Sequence, residues 1–108
     1  MADYEVFLTE DGEAGLAEIK ITSERHDSRE RADHVFACIK AAILKLEVLP
    51  GRGHVVPELR DIGVMDYREV FFKPYRVPYL VSEKWVYVHC IVDGRRDVEH
   101  LLSRRVLR

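Results

Sequence analysis

The sequence is short of almost everything that would give it a specialised architecture. Two cysteines, Cys38 and Cys90, in 108 residues cannot build the disulfide framework of a small secreted scaffold, and each lies in an apolar run that suits a small buried thiol. The five histidines (His26, His34, His54, His89 and His100) are scattered, without a C-x-x-C or a paired H-x-x-x-H. No metal site and no cofactor is expected from them. Six glycines and four prolines exclude a low-complexity or collagen-like chain. The longest apolar run, around residues 85–92, is far below the ~20 residues a membrane helix needs, so no membrane contact is expected. The opening MADYEVFLTEDG is acidic and lacks the basic-then-apolar layout of a signal peptide, which makes the cytoplasm the expected compartment.

What remains is one domain over residues 1–108 with ordinary globular composition, 47% hydrophobic and 33% charged. The net charge of −2 hides an asymmetry. Residues 1–49 carry six Lys/Arg against eleven Asp/Glu, whereas residues 50–108 carry eleven against eight. The second half is also the strand-rich half, so a positively polarised sheet that suits nucleic acid or an acidic protein is expected.

Periodicity orders the elements. Residues 4–9 (YEVFLT) alternate as a short strand, and Thr9 or Asp11 can cap a helix running to about Glu24. Asp27 to Glu30 has the D-x-x-E form of a capping box. Behind it Ala32, Val35, Phe36, Ile39, Ile43 and Leu46 recur at helical steps to about Leu49, where Pro50-Gly51 stops them. These two helices should form an antiparallel hairpin. Residues 59–63 read as a turn or short irregular strand. Three strands follow, at 67–73, 75–82 and 85–92, the last covered on both faces, with a bulge or local edge at Pro78. Asp93-Gly94 turns the chain into a short helix capped by Asp97, with Val98, Leu101 and Leu102 as its apolar stripe. The sum is an α+β domain: N-terminal strand, helical hairpin, antiparallel sheet of three to four strands, and a short C-terminal helix. Arg68, Arg76 and Arg96 fall where the strands could bring them near one sheet face. Arg76 in a strand can equally be an ion pair with Glu69 or Glu83.

Three runs carry a resemblance: PGRGHVVPEL at 50–59, YREVFFKPYRVPY at 67–79 and WVYVHCIVDGRRDVEHLL at 85–102. Together they resemble the RelE/ParE superfamily of type II toxin–antitoxin toxins, over residues 4–102. The resemblance implies a helical hairpin on an antiparallel sheet, and one of two activities. RelE-like members cut mRNA on the ribosome with a lysine/arginine cluster and a C-terminal tyrosine, and ParE-like members poison DNA gyrase. By position Arg76 and Arg96 match family arginines, and Arg68 stands near the first RelE-like lysine. Glu69 and Val70 fill the neighbourhood of the second lysine, and Leu102 fills the tyrosine position. A leucine cannot exchange a proton, so the resemblance implies the ParE-like branch.

That branch implies a gyrase-directed toxin bound in a hetero-oligomer by a cognate, ParD-like antitoxin whose C-terminal segment folds on binding. Arg76, Arg95, Arg96, Arg104 and Arg105, with Arg108, are its target-binding candidates. The alternatives are a ribosome-dependent mRNA endoribonuclease, with Arg68, Arg76, Arg96, His89 and Glu69 as catalytic candidates, and a non-toxic module that only binds the antitoxin.

Overall fold

The computed structural model describes residues 4–26, 28–72, 74–94 and 102, with the backbone alone at 22–24 and 26. β1 (Glu5–Leu8) leads into α1 (Glu10–His26), where the Thr9 hydroxyl accepts from the Gly12 N–H at 3.2 Å and so caps the helix. α2 (Arg29–Leu44) is capped by Ser28, whose Oγ accepts from the Arg31 N–H at 3.1 Å, one residue later than the capping box predicts. It also ends five residues earlier than the apolar period implies. Lys45–Glu47 tighten into a 3-10 turn, which keeps Leu46 buried although the helix is over.

α1 and α2 pack as an antiparallel hairpin, with Leu16 and Ile19 of one and Ile39 and Ile43 of the other in a shared core. Removing each such aliphatic side chain from water contributes about 1.5–3 kcal/mol. This hairpin covers one face of the sheet through Val77, Tyr79, Val86 and Val88.

The sheet has six strands among the described residues, where three or four antiparallel ones were expected. Its order is β1-β5-β4-β3-β2, built from β2 (His54–Val55), β3 (Tyr67–Phe72), β4 (Tyr75–Ser82) and β5 (Trp85–Val88), with β6 (Val92–Asp93) also on β4. β1 joins parallel to β5, because the hairpin carries the chain across the sheet before β5 is made, and the other pairings are antiparallel. Residues 57–60 form a short helix, α3, and a turn follows at 61–63, within the 59–63 stretch expected as a turn or short irregular strand. Pro57 at its start has the fixed φ a first helical position needs.

Pro78 explains why the third strand is broken. Val88 pairs with Tyr79 and Val92 with Arg76, so three residues (His89, Cys90 and Ile91) stand opposite two (Val77 and Pro78). That is a β-bulge. The His89 N–H donates to the Pro78 carbonyl at 3.2 Å, which puts the donorless Pro78 nitrogen on the same, bulged side. The expectation of a strand covered on both faces fails at its start: Trp85 is 37% exposed, and Tyr87 is half-buried on the face away from the hairpin. A second, smaller core of Val56, Leu59, Cys90, Val92 and Leu102 closes the other end of that face. Leu102 is helical and fully buried. Asp97, Val98 and Leu101 lie outside the described residues.

Candidate functional site

Four polar side chains, His54, Glu58, Glu69 and Arg76, converge where β2, β3 and β4 meet α3. Arg76 on β4 lies directly across from Phe71 of β3 and two positions from Pro78, which pairs with Glu69. All of these side chains are on the face away from the hairpin, and α3 presents Glu58 above them. The Arg76 guanidinium makes two forks. Nε and Nη2 donate to Glu69 at 3.0 and 2.8 Å, and Nη1 and Nη2 donate to Glu58 at 2.6 and 2.7 Å. His54 Nε2 closes the chain at 3.2 Å from Glu69 Oε1, with its ring against Phe71 at 4.8 Å.

Burial turns this from a surface pair into a structural device. Glu69 is 1% exposed and Arg76 13%. A planar five-donor cation is the side chain that can saturate two carboxylates at once. Hydrogen bonding to Arg76 holds the Glu58 carboxyl below its ordinary range, and the same bonds to Glu58 push the Arg76 guanidinium further up. No buried side-chain polar atom among the described residues lacks a partner.

The candidates do not gather on one face. β3 and β4 pair so that Arg68 lies opposite Tyr79, which faces the hairpin, whereas Arg76 has the opposite parity and faces away. Arg68 donates instead to the Gly53 carbonyl at 2.9 Å. Arg76 is engaged with Glu69, as one of its two expected ion pairs had it, and with Glu58, which sequence reasoning missed. Arg95, Arg96, Arg104, Arg105 and Arg108 lie outside the described residues. His89 sits in the bulge with Nε2 at 3.3 Å from the Tyr67 hydroxyl and the two rings edge to face. Burial lowers the His89 imidazole and raises the Tyr67 phenol, so the pair is neutral around pH 7.

A second feature adjoins the network. An open cavity of about 530 Å³ lies between α2 and the edge of β3. Its floor is the α2 stripe of Cys38, Ala41 and Ala42, its walls are Val70 to Phe72, and its rim carries Lys45, Arg52 and His54. Lys45 and Arg52 are exposed, and neither has an acidic partner among the described residues. Gly53 fixes the rim. Its N–H donates to the Tyr79 hydroxyl at 3.0 Å, and a side chain there would meet the Glu69 carbonyl and the Tyr79 hydroxyl, each 2.5 Å from a built Cβ. Tyr79 in turn donates to the Pro50 carbonyl at 2.5 Å, and burial raises its phenol. No group of three or more His, Cys, Asp or Glu among the described residues could hold a metal ion.

The arrangement gives one internally paired charge network, with Glu69 fully buried at its centre, and one open basic groove. A family model described as ParE toxin of type II toxin–antitoxin system, parDE, matches residues 6–98. Among solved structures, the chain is similar to one titled "Chromosomal ParDE TA system from P. aeruginosa", with a TM-score of 0.71 at 18% identity. That likeness covers 84% of this chain and 96% of the other. At such an identity it speaks for the fold. No curated protein matches the chain.

Proposed function

Because this chain belongs to the ParE toxin family of type II toxin–antitoxin systems, we propose that it arrests growth by poisoning DNA gyrase and is neutralised by a cognate antitoxin. The observation that carries the choice of target is at Leu102. RelE-like chemistry asks this position for a proton-transferring tyrosine, and here an aliphatic side chain is fully buried among Val56, Leu59, Cys90 and Val92. A group sealed in a core reaches no ribose hydroxyl. The arginines point the same way. Arg76 is saturated by Glu58 and Glu69, and Arg68 is on the opposite sheet face, so these two cannot clamp one phosphate together.

The test is supercoiling by purified gyrase with and without the protein, beside a ribosome-bound mRNA cleavage assay and growth after expression of the chain alone. The expected result is growth arrest, inhibited supercoiling with trapped cleaved DNA, and intact mRNA. Cut mRNA with untouched gyrase would overturn the reading in favour of a ribonuclease. Unimpaired growth would leave only an antitoxin-binding module.

A further inference from the structure

The β1 edge of the sheet is left open in a way that fixes its partner. β1 has neither the lysine, the proline nor the bulge that commonly keeps an edge strand from pairing. The Glu5 and Thr9 N–H groups donate to the Lys84 and Val88 carbonyls at 2.8 and 3.1 Å, so the odd positions of β1 face β5. By period two, Val6 and Leu8 turn their N–H and C=O outward. No strand lies beside them among the described residues. Tyr4, the next outward position, is already closed, because its N–H donates to the Glu47 carbonyl at 3.1 Å.

Two open residues on either side of Phe7 are self-complementary. A second β1, antiparallel about a two-fold axis at Phe7, sets Val6 against Leu8 and Leu8 against Val6, which answers every outward group. An axis at Glu5 would oppose two carboxylates and ask for the Tyr4 N–H that Glu47 already holds. The Phe7 axis instead lays Glu5 against Thr9 and brings together two Phe7 rings, each 43% exposed on the single chain. Phe7 is in register with Tyr87, Tyr87 with Leu80 and Leu80 with Tyr67, so the apolar row runs on from one sheet into the other. Charge fits as well. Lys84 and Tyr4 each precede the paired residues Trp85 and Glu5, and the axis puts Tyr4 opposite Glu10 of the second copy. Lys84 and that Glu10 then stand two strand spacings, about 10 Å, apart along the backbone row, within reach of a lysine side chain. Both are exposed, and neither has an ion-pair partner among the described residues.

We propose that the chain forms a two-fold homodimer through β1, joining two sheets into one with both helical hairpins on the same face. The backbone of Val6 and Leu8 supplies the pairing, Phe7 the apolar centre, and the two Lys84–Glu10 pairs the orientation. None of this calls on gyrase or an antitoxin, and the readout is mass rather than growth. Failure of the dimer and failure of the toxin reading are therefore separate results.

The test is sedimentation velocity of the full chain from about 1 to 100 µM, where a closed dimer is expected. Phe7→Lys and Phe7→Glu each place like charges across the axis, so each should weaken the dimer about tenfold or more. An equimolar mixture of the two should dimerise again, because opposite charges then meet. Val6→Pro removes an outward N–H without touching the β5 ladder and should likewise give a single chain. Hydrogen exchange at the Val6 and Leu8 amides should slow as the concentration rises. A single-chain mass throughout, a ladder of larger species, or a dimer that persists in Phe7→Lys and Val6→Pro would each overturn the proposal. So would a mixture that associates no better than its components, or Val6 and Leu8 amides that exchange at one rate at all concentrations.

Discussion

Two ends of one sheet face solve opposite problems. Where β3 and β4 meet α3, charged groups are buried, which costs several kcal/mol per ion unless each is paired and hydrogen-bonded. At the β1–β5 end, rings stand open. Phe7 is 43% exposed, with Trp85 at 5.5 Å and Tyr87 at 6.0 Å between centroids. The sealed end is polar and the open end apolar, the reverse of a solvated globule. Saturation explains the first: four of the five donors of Arg76 answer two carboxylates, so the charges can lose water. The second has no internal cover among the described residues, as on a surface that meets other molecules. Stability should therefore be concentrated at the polar end, and the aromatic end should contribute little to it.

The largest break of that contrast is Arg76→Ala. It strands Glu69, almost without solvent, and should cost about 3–5 kcal/mol, lowering Tm by at least ~12 °C in thermal unfolding. Arg76→Lys, which keeps the charge but loses both forks, should fall between. A drop within ~2 °C would class the network with ordinary surface pairs, worth about 0–1 kcal/mol. Tyr79→Phe comes next. Its hydroxyl joins Gly53 to Pro50, so its loss leaves an N–H and a carbonyl unanswered and should cost about 1–3 kcal/mol by denaturant unfolding. An unchanged midpoint would mean that water replaces the hydroxyl.

These two residues show what local sequence carried and what it could not. β4 was legible to the residue, because Pro74 and the Glu83-Lys84 turn punctuate both ends, Glu83 with a positive φ of 56°. The end of α2 was not, since Leu46 keeps the apolar period whether the backbone is α or 3-10. The open face of the third strand was hidden because Trp85 and Tyr87 count as apolar while standing half in solvent. In the site, Arg76 stood out as an arginine inside a strand. Its partner Glu58 comes from a helix 18 positions earlier, which no local pattern predicts. The parity of Arg68 was available. Phe72 pairs with Tyr75 and hence Arg68 with Tyr79, which already separates Arg68 from Arg76. β2, two residues long, leaves no periodic signal at all.

Acid should erode the polar end in two steps. Burial lowers the His89 imidazole from its ordinary 6.5, so the fold prefers it neutral. Its contribution is complete above that value and is lost as pH falls through the lower folded value. Glu58, held below 4.5 by Arg76, behaves likewise in the more acidic range, with a modest share because it is partly exposed. Tm should thus begin to fall as pH drops below about 6.5, and His89→Gln should flatten that slope while leaving the decline below pH 4.5. A slope unchanged in His89→Gln would assign the first step to another group.

The smallest expected effect is the sharpest test of the comparison. Trp85→Ala removes a ring already more than a third in water, so what it loses is mainly its contact with Phe7, about 0.5–1.5 kcal/mol for an aromatic pair. Thermal unfolding should register a few degrees at most, far less than Arg76→Ala. Under the gyrase reading, the same variant tested for growth arrest separates two roles for the aromatic end. Near-normal Tm with lost toxicity would make it a contact surface for the target. Near-normal Tm with full toxicity would leave it an open patch without part in the arrest. A Tm loss as large as that of Arg76→Ala would mean that the rings at β1–β5 hold the sheet together, and the division of labour between the two ends would fall.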